Sequence, residues 1–272
     1  MIEKQINSLP LWFFRNLGKY SEVCHFVSTR IGGFSSPPFK ALNLGFHVGD
    51  NPEMVFKNRM LLSRALEITL GSFTTVQQVH ACNVKVITEE LRGAGAVNCD
   101  SAVSRADAMV TNVPDICLMV LQADCVPVLL FDPQERVIGT AHAGWKGTVQ
   151  LVVQKVVIEM QEKFGCLPRN ITAGIGPSIG PCCYEVGPEV IAQAKGIFQE
   201  NRSYISKETP EGKGYFNLWE ANKAQLIQMG LPEKNIEVAG ICTYCNHHLF
   251  FSARRQEGKT GRFGAGIMLK NL

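Results

Sequence analysis

The sequence predicts an α+β chain of mixed β-sheets with flanking helices, forming a single domain over residues 1–272. Three observations support this. Short apolar runs of strand length outnumber helical patterns. The helices do not alternate strictly with the strands, which argues against a doubly wound parallel sheet. No low-complexity linker and no internal repeat divides the chain. The hydrophobic content of 46% and charged content of 19% fit a well-buried globular protein.

The elements follow in order. Leu9 to Phe14 and Cys24 to Thr29 read as strands. Asn51-Pro52-Glu53 starts a helix, with Asn as cap, Pro in the first turn and an acid near the positive end of the helix dipole. Val55, Arg59, Leu62 and Leu66 share a face, and the helix should end near Glu67. Phe73 to Gln78 and Val84 to Thr88 read as strands flanking His80, and residues 91–105 as a Gly/Ala/Ser-rich loop. Ala108 to Thr111 and Ile116 to Gln122 are strands. Val126 to Phe131 and Val137 to Ala141 follow, with a turn at Asp132-Pro133. Val149, Val152, Val153, Val156, Met160 and Phe164 have helical spacing, and Gly165 stops that helix. Ile171 to Ile175 is a strand leading into a Gly/Pro loop, and Pro188 to Phe198 a helix. Residues 200–214 read as a polar surface loop, and Asn217 caps a helix ending at Gly230. Ile236 to Cys242, Phe250 to Arg255 and Gly264 to Leu269 read as the last strands.

The same numbers exclude several classes of function. A net charge of +3, without a basic run, gives no footprint for nucleic acid. No stretch reaches the roughly 18 apolar residues of a membrane span. The first residues, Met1 to Gln5, have no secretory pattern. The ten cysteines therefore read as reduced thiols in a cytoplasmic protein.

Chemistry concentrates in residues 118–148, where Asp124, Cys125 and His142 interrupt apolar strands. Polar groups in such a setting need partners, because uncompensated burial costs a few kcal/mol. Cys125 and His142, with the earlier His80, are ligand types that zinc prefers. Three such ligands leave the open position of a catalytic zinc. They are too far apart in sequence for a local zinc knuckle. A rival reading makes Cys125 a nucleophile and His142 its base, without metal. Gly144-Trp145-Lys146-Gly147-Thr148 opens a helix and offers backbone N–H groups and a lysine to an anion. Arg30, beside Gly32-Gly33, and Arg254-Arg255 offer guanidinium groups suited to phosphate. Cys242, Cys245, His247 and His248 look like a compact metal knot, but that segment alone has too little chain to wrap a tetrahedron, so it reads as a strand end near the active site. Cys182-Cys183 reads as structural or cavity-lining.

These residues carry a family resemblance. Thr29-Arg30, Gly32-Gly33-Phe34-Ser35, Leu42-Asn43-Leu44-Gly45 and Val48-Gly49-Asp50 resemble the N-terminal signature of the YfiH/YlmD family, also called the laccase-domain or multicopper polyphenol oxidase family. Gln77 to His80, Ala106-Asp107-Ala108, Ala123 to Val128 and Ala141 to Thr148 continue the match, with Lys146 where many members have Arg. Gly176 to Gly180, Cys183 to Gly187, Phe251-Ser252, Arg254-Arg255 and Thr260-Gly261-Arg262 complete it, with Ala253 in place of a common Tyr. The resemblance covers nearly the whole chain and is nearest to YlmD-like bacterial members.

The resemblance implies a fold like that of the cytotoxic necrotizing factor catalytic domain. It also implies a purine nucleoside phosphorylase acting on adenosine, inosine and methylthioadenosine, with adenosine deaminase activity. His80, Cys125 and His142 match the family's metal ligands, with zinc expected and copper less so. A laccase needs further copper sites, and the chain has only six histidines. On this reading Cys125 and His142 serve catalysis, with Asp124 as acid/base or as support for the ligands. Arg30, Asn43, Gly144, Lys146, Gly147, Thr148, Arg254 and Arg255 then bind nucleoside and phosphate.

Overall fold

The computed structural model describes residues 1–198 and 204–271. An N-terminal hairpin pairs β1 (Ile2–Ile6) with β2 (Leu9–Phe13). Its two-residue turn puts Asn7 and Ser8 at φ 47° and 70°, the geometry that matches strand twist. There follow β3 (Val23–Ser28), α1 (Pro52–Ala65), β4 (Phe73–Thr74), β5 (Val84–Val86), β6 (Ala108–Thr111), β7 (Cys117–Gln122), β8 (Val126–Asp132) and β9 (Val137–Ala143). Next are α2 (Trp145–Val149), α3 (Val152–Phe164), β10 (Thr172–Ile175), β11 (Glu185–Val186), α4 (Pro188–Phe198), β12 (Ile205–Ser206), β13 (Gly214–Phe216), α5 (Leu218–Gln228), β14 (Ile236–Val238) and β15 (Phe263–Leu269).

Two six-stranded sheets form the body, in the orders β1-β2-β3-β15-β7-β4 and β14-β10-β8-β9-β6-β5. Both mix parallel and antiparallel pairs. A small sheet, β11-β13-β12, stands apart. Strand alternation sorts the side chains into layers. Leu118 and Val120 of β7 pack between the sheets with Met109, Leu129, Phe131 and Ile138. Their neighbours Cys117, Met119 and Leu121 face outward, under Leu62 and Ala65 of α1 and under Leu42 and Leu44. On the far side, Val128, Leu130 and Ala141 pack against Val152, Val153, Val156 and Met160 of α3. The order is therefore helix, sheet, sheet, helix, with every strand of the centre buried on both faces.

Several expected elements change. The run from Val149 to Phe164 is two helices, broken at Leu151, which has φ 63°. The cause is tertiary. The Thr148 carbonyl accepts the Gln225 amide at 2.8 Å and its hydroxyl accepts Asn222 at 3.0 Å, so α5 holds the last turn of α2. Phe250 to Arg255 is not a strand. Phe250 and Phe251 are buried, but the chain then turns, with Gln256 N–H donating to Ser252 O and Gly258 N–H to Ala253 O. A pair of aromatic residues without alternation signals burial and says little about backbone shape. Phe73 to Gln78 keeps only β4 plus a bridge at Val76, and Ile236 to Cys242 ends as a strand at Val238. The expected 200–214 loop contributes β12 and the first residue of β13, while residues 200–203 of that region lie outside the described residues.

The switch between sheets positions the site. β7 ends at Gln122 in the first sheet and β8 begins at Val126 in the second. Ala123-Asp124-Cys125 makes the passage, with Asp124 at φ 84°.

Candidate metal centre

Three segments converge at this passage. Cys125 ends the crossover, His142 sits near the end of β9, and His80 lies on the loop between β4 and β5 at φ 57°. Their ligand atoms all lie within 4.8 Å of one another. The two imidazole rings meet edge-on, with centroids 4.9 Å apart.

One buried carboxylate organises two of the three. Asp107, fully buried, accepts His142 Nδ1–H at 2.9 Å, which turns Nε2 of that ring toward the centre. Its oxygens also accept the backbone N–H groups of Val79, His80 and Ala81 at 3.2, 3.0 and 2.7 Å. The strained turn at His80 is thus held by the group that orients His142. Asp107 entered the sequence reading only as part of a motif. The available signal was a charge heading a short, largely apolar strand, since a buried carboxylate must be paired.

The electrostatics suit metal ligation. Burial raises the Cys125 thiol, but the charge of His142 and hydrogen bonds from His142 and His80 outweigh it and bring the group to about 6. Burial lowers His142, and Cys125 and Asp107 outweigh that and lift it to about 9. The pair is thereby drawn toward thiolate and imidazolium; a metal would take the thiolate and displace the His142 Nε2 proton, leaving thiolate and imidazole, the donor set of zinc and copper sites.

The centre opens into a cavity of about 320 Å³ lined by His47, Gln78, His80, Asp124, Cys125, His142, Ile179, Tyr184, Arg254 and Arg262, among others. His47, Gln78, Tyr184 and Arg262 were absent from the expected site. Gln78 exchanges two hydrogen bonds with the backbone of Leu121, which fixes the end of β7. Burial and the nearby Arg262 and Arg59 hold His47 down at about 4, so it is neutral near pH 7. Asp124 is in the lining, and both of its oxygens are engaged: one accepts Thr243 Oγ1–H at 2.6 Å, the other Arg254 N–H at 2.7 Å.

The other expected residues surround this cavity without all lining it. Arg254 lines it, lying over Tyr184 and donating to Glu185 O. Arg30 donates to Lys40 O and His247 O and stacks on Phe251, and Arg255 stacks on Tyr244; neither is part of the lining. Lys146 is exposed beside Trp145, again outside it. Asn43 is buried and ties Gly45, Asp50 and Arg262 N–H together, which places Arg262. Gly144 supplies clearance: a Cβ there would stand 2.9 Å from Cys125 Sγ. At Gly147 a Cβ would approach Ala81 O at 3.2 Å, so the bend packs against the His80 loop.

Comparison with known proteins relates the whole chain to others. Residues 24–270 match the family model described as multi-copper polyphenol oxidoreductase laccase. A Bacteroides thetaiotaomicron protein named purine nucleoside phosphorylase is 38% identical over 94% of this chain and 95% of its own. A protein from an unknown prokaryotic organism, named adenosine deaminase RL5, is 36% identical over 85% of this chain and 88% of its own. The crystal structure of the Bacillus licheniformis hypothetical protein YfiH superposes with a TM-score of 0.92 at 35% identity, covering 98% of this chain and 97% of that one.

Proposed function

The chain belongs to the multi-copper polyphenol oxidoreductase laccase family, and we propose that it is a zinc-dependent purine nucleoside enzyme. Its reactions would be phosphorolysis of adenosine, inosine and methylthioadenosine to free base and ribose 1-phosphate, and deamination of adenosine. The supporting observation is the convergence of His80, Cys125 and His142 on one wall of a cavity that also holds Arg254 and Arg262. The names of the relatives point to the same pair of activities.

Three protein ligands of this kind fit zinc with a position left for substrate or water, and zinc so held supplies Lewis acidity to an oxygen nucleophile. The chain's own groups do the rest. Arg254 and Arg262 carry guanidinium N–H groups suited to phosphate oxygens in the cavity. On this reading the anion role falls to these two, since Arg30, Lys146 and Arg255 are not part of the lining. Gly144, Gly147 and Thr148 hold the bend against the ligands, and Asn43 supports Arg262. Asp124 is a positioning residue, since both its oxygens already hold the loop that carries Arg254. Neutral His47 and Tyr184 flank the space and are placed to bind the nucleoside.

A second reading has its own observation. Cys125, His142 and Asp107 also form the layout of a Cys/His/Asp hydrolase. Incubation with adenosine separates the readings. Adenine released only with phosphate demonstrates phosphorolysis, and inosine formed without phosphate demonstrates deamination. Neither product from zinc-loaded protein would overturn the proposal, and full activity after metal removal would favour the hydrolase.

A further inference from the structure

The described residues hold a second group of metal-binding atoms. The Sγ atoms of Cys182, Cys183, Cys242 and Cys245 all lie within 4.8 Å of one another. Cys183 and Cys245 are 3.4 Å apart, and Cys182 and Cys245 3.8 Å. We infer that these four cysteines bind a thiophilic divalent cation, zinc, in a closed tetrahedral site that staples the loop before β11 to the turn after β14.

The geometry supports four-way ligation. Ligands about 2.3 Å from a zinc ion at tetrahedral angles stand about 3.8 Å from one another. A disulfide would use two sulfurs and leave two thiols behind. Here Cys245 is nearly equidistant from two partners and also close to Cys242, which is convergence on a common centre. Adjacent residues on a strand point to opposite faces, but Cys182 and Cys183 lie in a turn, where both side chains reach the same side. Cys242 and Cys245 have the C-x-x-C spacing of a zinc knuckle. Gly180 N–H donates to Cys242 Sγ at 3.2 Å, a bond that favours the thiolate. The sequence alone left this knot short of chain. The two missing ligands come from residues 182 and 183, and His247 and His248 take no part in the cluster.

The site would be built on an existing junction. Ser178 and Cys242 form a parallel bridge, and Thr243 N–H donates to Ser178 O at 3.0 Å. The stapled segments carry Ile179 and Tyr184 of the cavity wall, and Thr243, which holds Asp124. Metal binding releases the thiol protons as the four sulfurs become thiolates. The ion would fix one wall of the cavity without touching what enters it, and this holds whatever reaction the cavity performs.

Cobalt exchange tests the site. The full chain, purified reduced and reconstituted with cobalt(II), should show intense tetrahedral d–d bands and sulfur-to-cobalt charge transfer of a tetrathiolate. Cys245→Ser and Cys182→Ser should each abolish that signature and remove about one zinc per chain. His80→Ala should leave it in place. Both substituted cysteines are exposed, and circular dichroism checks that each variant folds. An unchanged cobalt spectrum and zinc content in Cys245→Ser would overturn the inference. So would peptide mapping that finds Cys245 disulfide-bonded to Cys182 or Cys183 in protein purified with zinc under reducing conditions.

Discussion

The His80/Cys125/His142 group lines the cavity, the four-cysteine cluster lies on segments that also carry Ile179 and Tyr184 of its lining, and the two differ in what surrounds them. The first has three ligands of two chemical types, a buried carboxylate behind one of them, and a cavity in front. The second has four like ligands, surface exposure for two of them, and backbone bonds joining the segments that carry them. Mixed ligation with an open face suits chemistry, and uniform ligation on a closed junction suits architecture.

Substitutions can separate the two. The largest expected effect is that of Cys125→Ala, which should empty the first centre, leave the cobalt signature of the second, and lower nucleoside turnover on the order of 10³-fold. Loss of both metals together would merge the two sites into one cooperative unit. Asp107→Asn should cost roughly 10–100-fold in metal affinity or activity, because His142 loses its orienting charge. Metal titration of the variant measures this, and an unchanged affinity would remove Asp107 from the centre. Gly144→Ala should weaken the same centre by about tenfold, since the new methyl group must displace Cys125 Sγ. The four-cysteine cluster should not respond. A chelator series should strip the three-ligand centre at a lower concentration than the four-ligand one.

An effect on stability, separate from the metal centres, sets the background for any acid-release experiment. His25 is buried and accepts Phe14 N–H through Nε2 at 2.9 Å, and burial lowers it from 6.5 to about 4. The unfolded chain takes up this proton at a pH where the folded chain does not. Stability is therefore full above pH 6.5 and falls as the pH drops toward 4, by up to roughly 3 kcal/mol. Thermal melts across this range should show the slope, and His25→Leu should flatten it. If it does not, the acid sensitivity lies elsewhere and metal release becomes the better explanation.

Much of the fold was legible in the sequence. Ala108 to Thr111 appears as a strand with the expected limits, and Asn51, Gly165 and Asn217 stand at the helix ends the capping pattern predicts. Local rules governed those positions. The illegible parts depended on contacts distant in sequence. The break at Leu151 depends on α5, and the turn after Phe251 depends on Asp124. The three ligands carried a chemical signal, but the link to Asp107 spans 35 residues of separation from His142. Arg262 lines the cavity from a loop whose backbone N–H is held by Asn43, 219 residues earlier. The four cysteines escaped because each pair looked incomplete by itself.

Strand β15 lies in the middle of the first sheet, hydrogen-bonded along β3 on one side and β7 on the other. During synthesis, β3 and β7 emerge long before β15 and have no direct pairing with each other. Until Phe263 to Leu269 arrive, both present open edges, and the inner face formed by Leu118 and Val120 lacks its neighbour Ala265. Assembly of this sheet must therefore wait for a late, sequence-distant pairing, which is intrinsically slow. A chain cut before Phe263 would retain every candidate ligand of both metal sites, yet it would expose two sticky edges in place of a finished sheet.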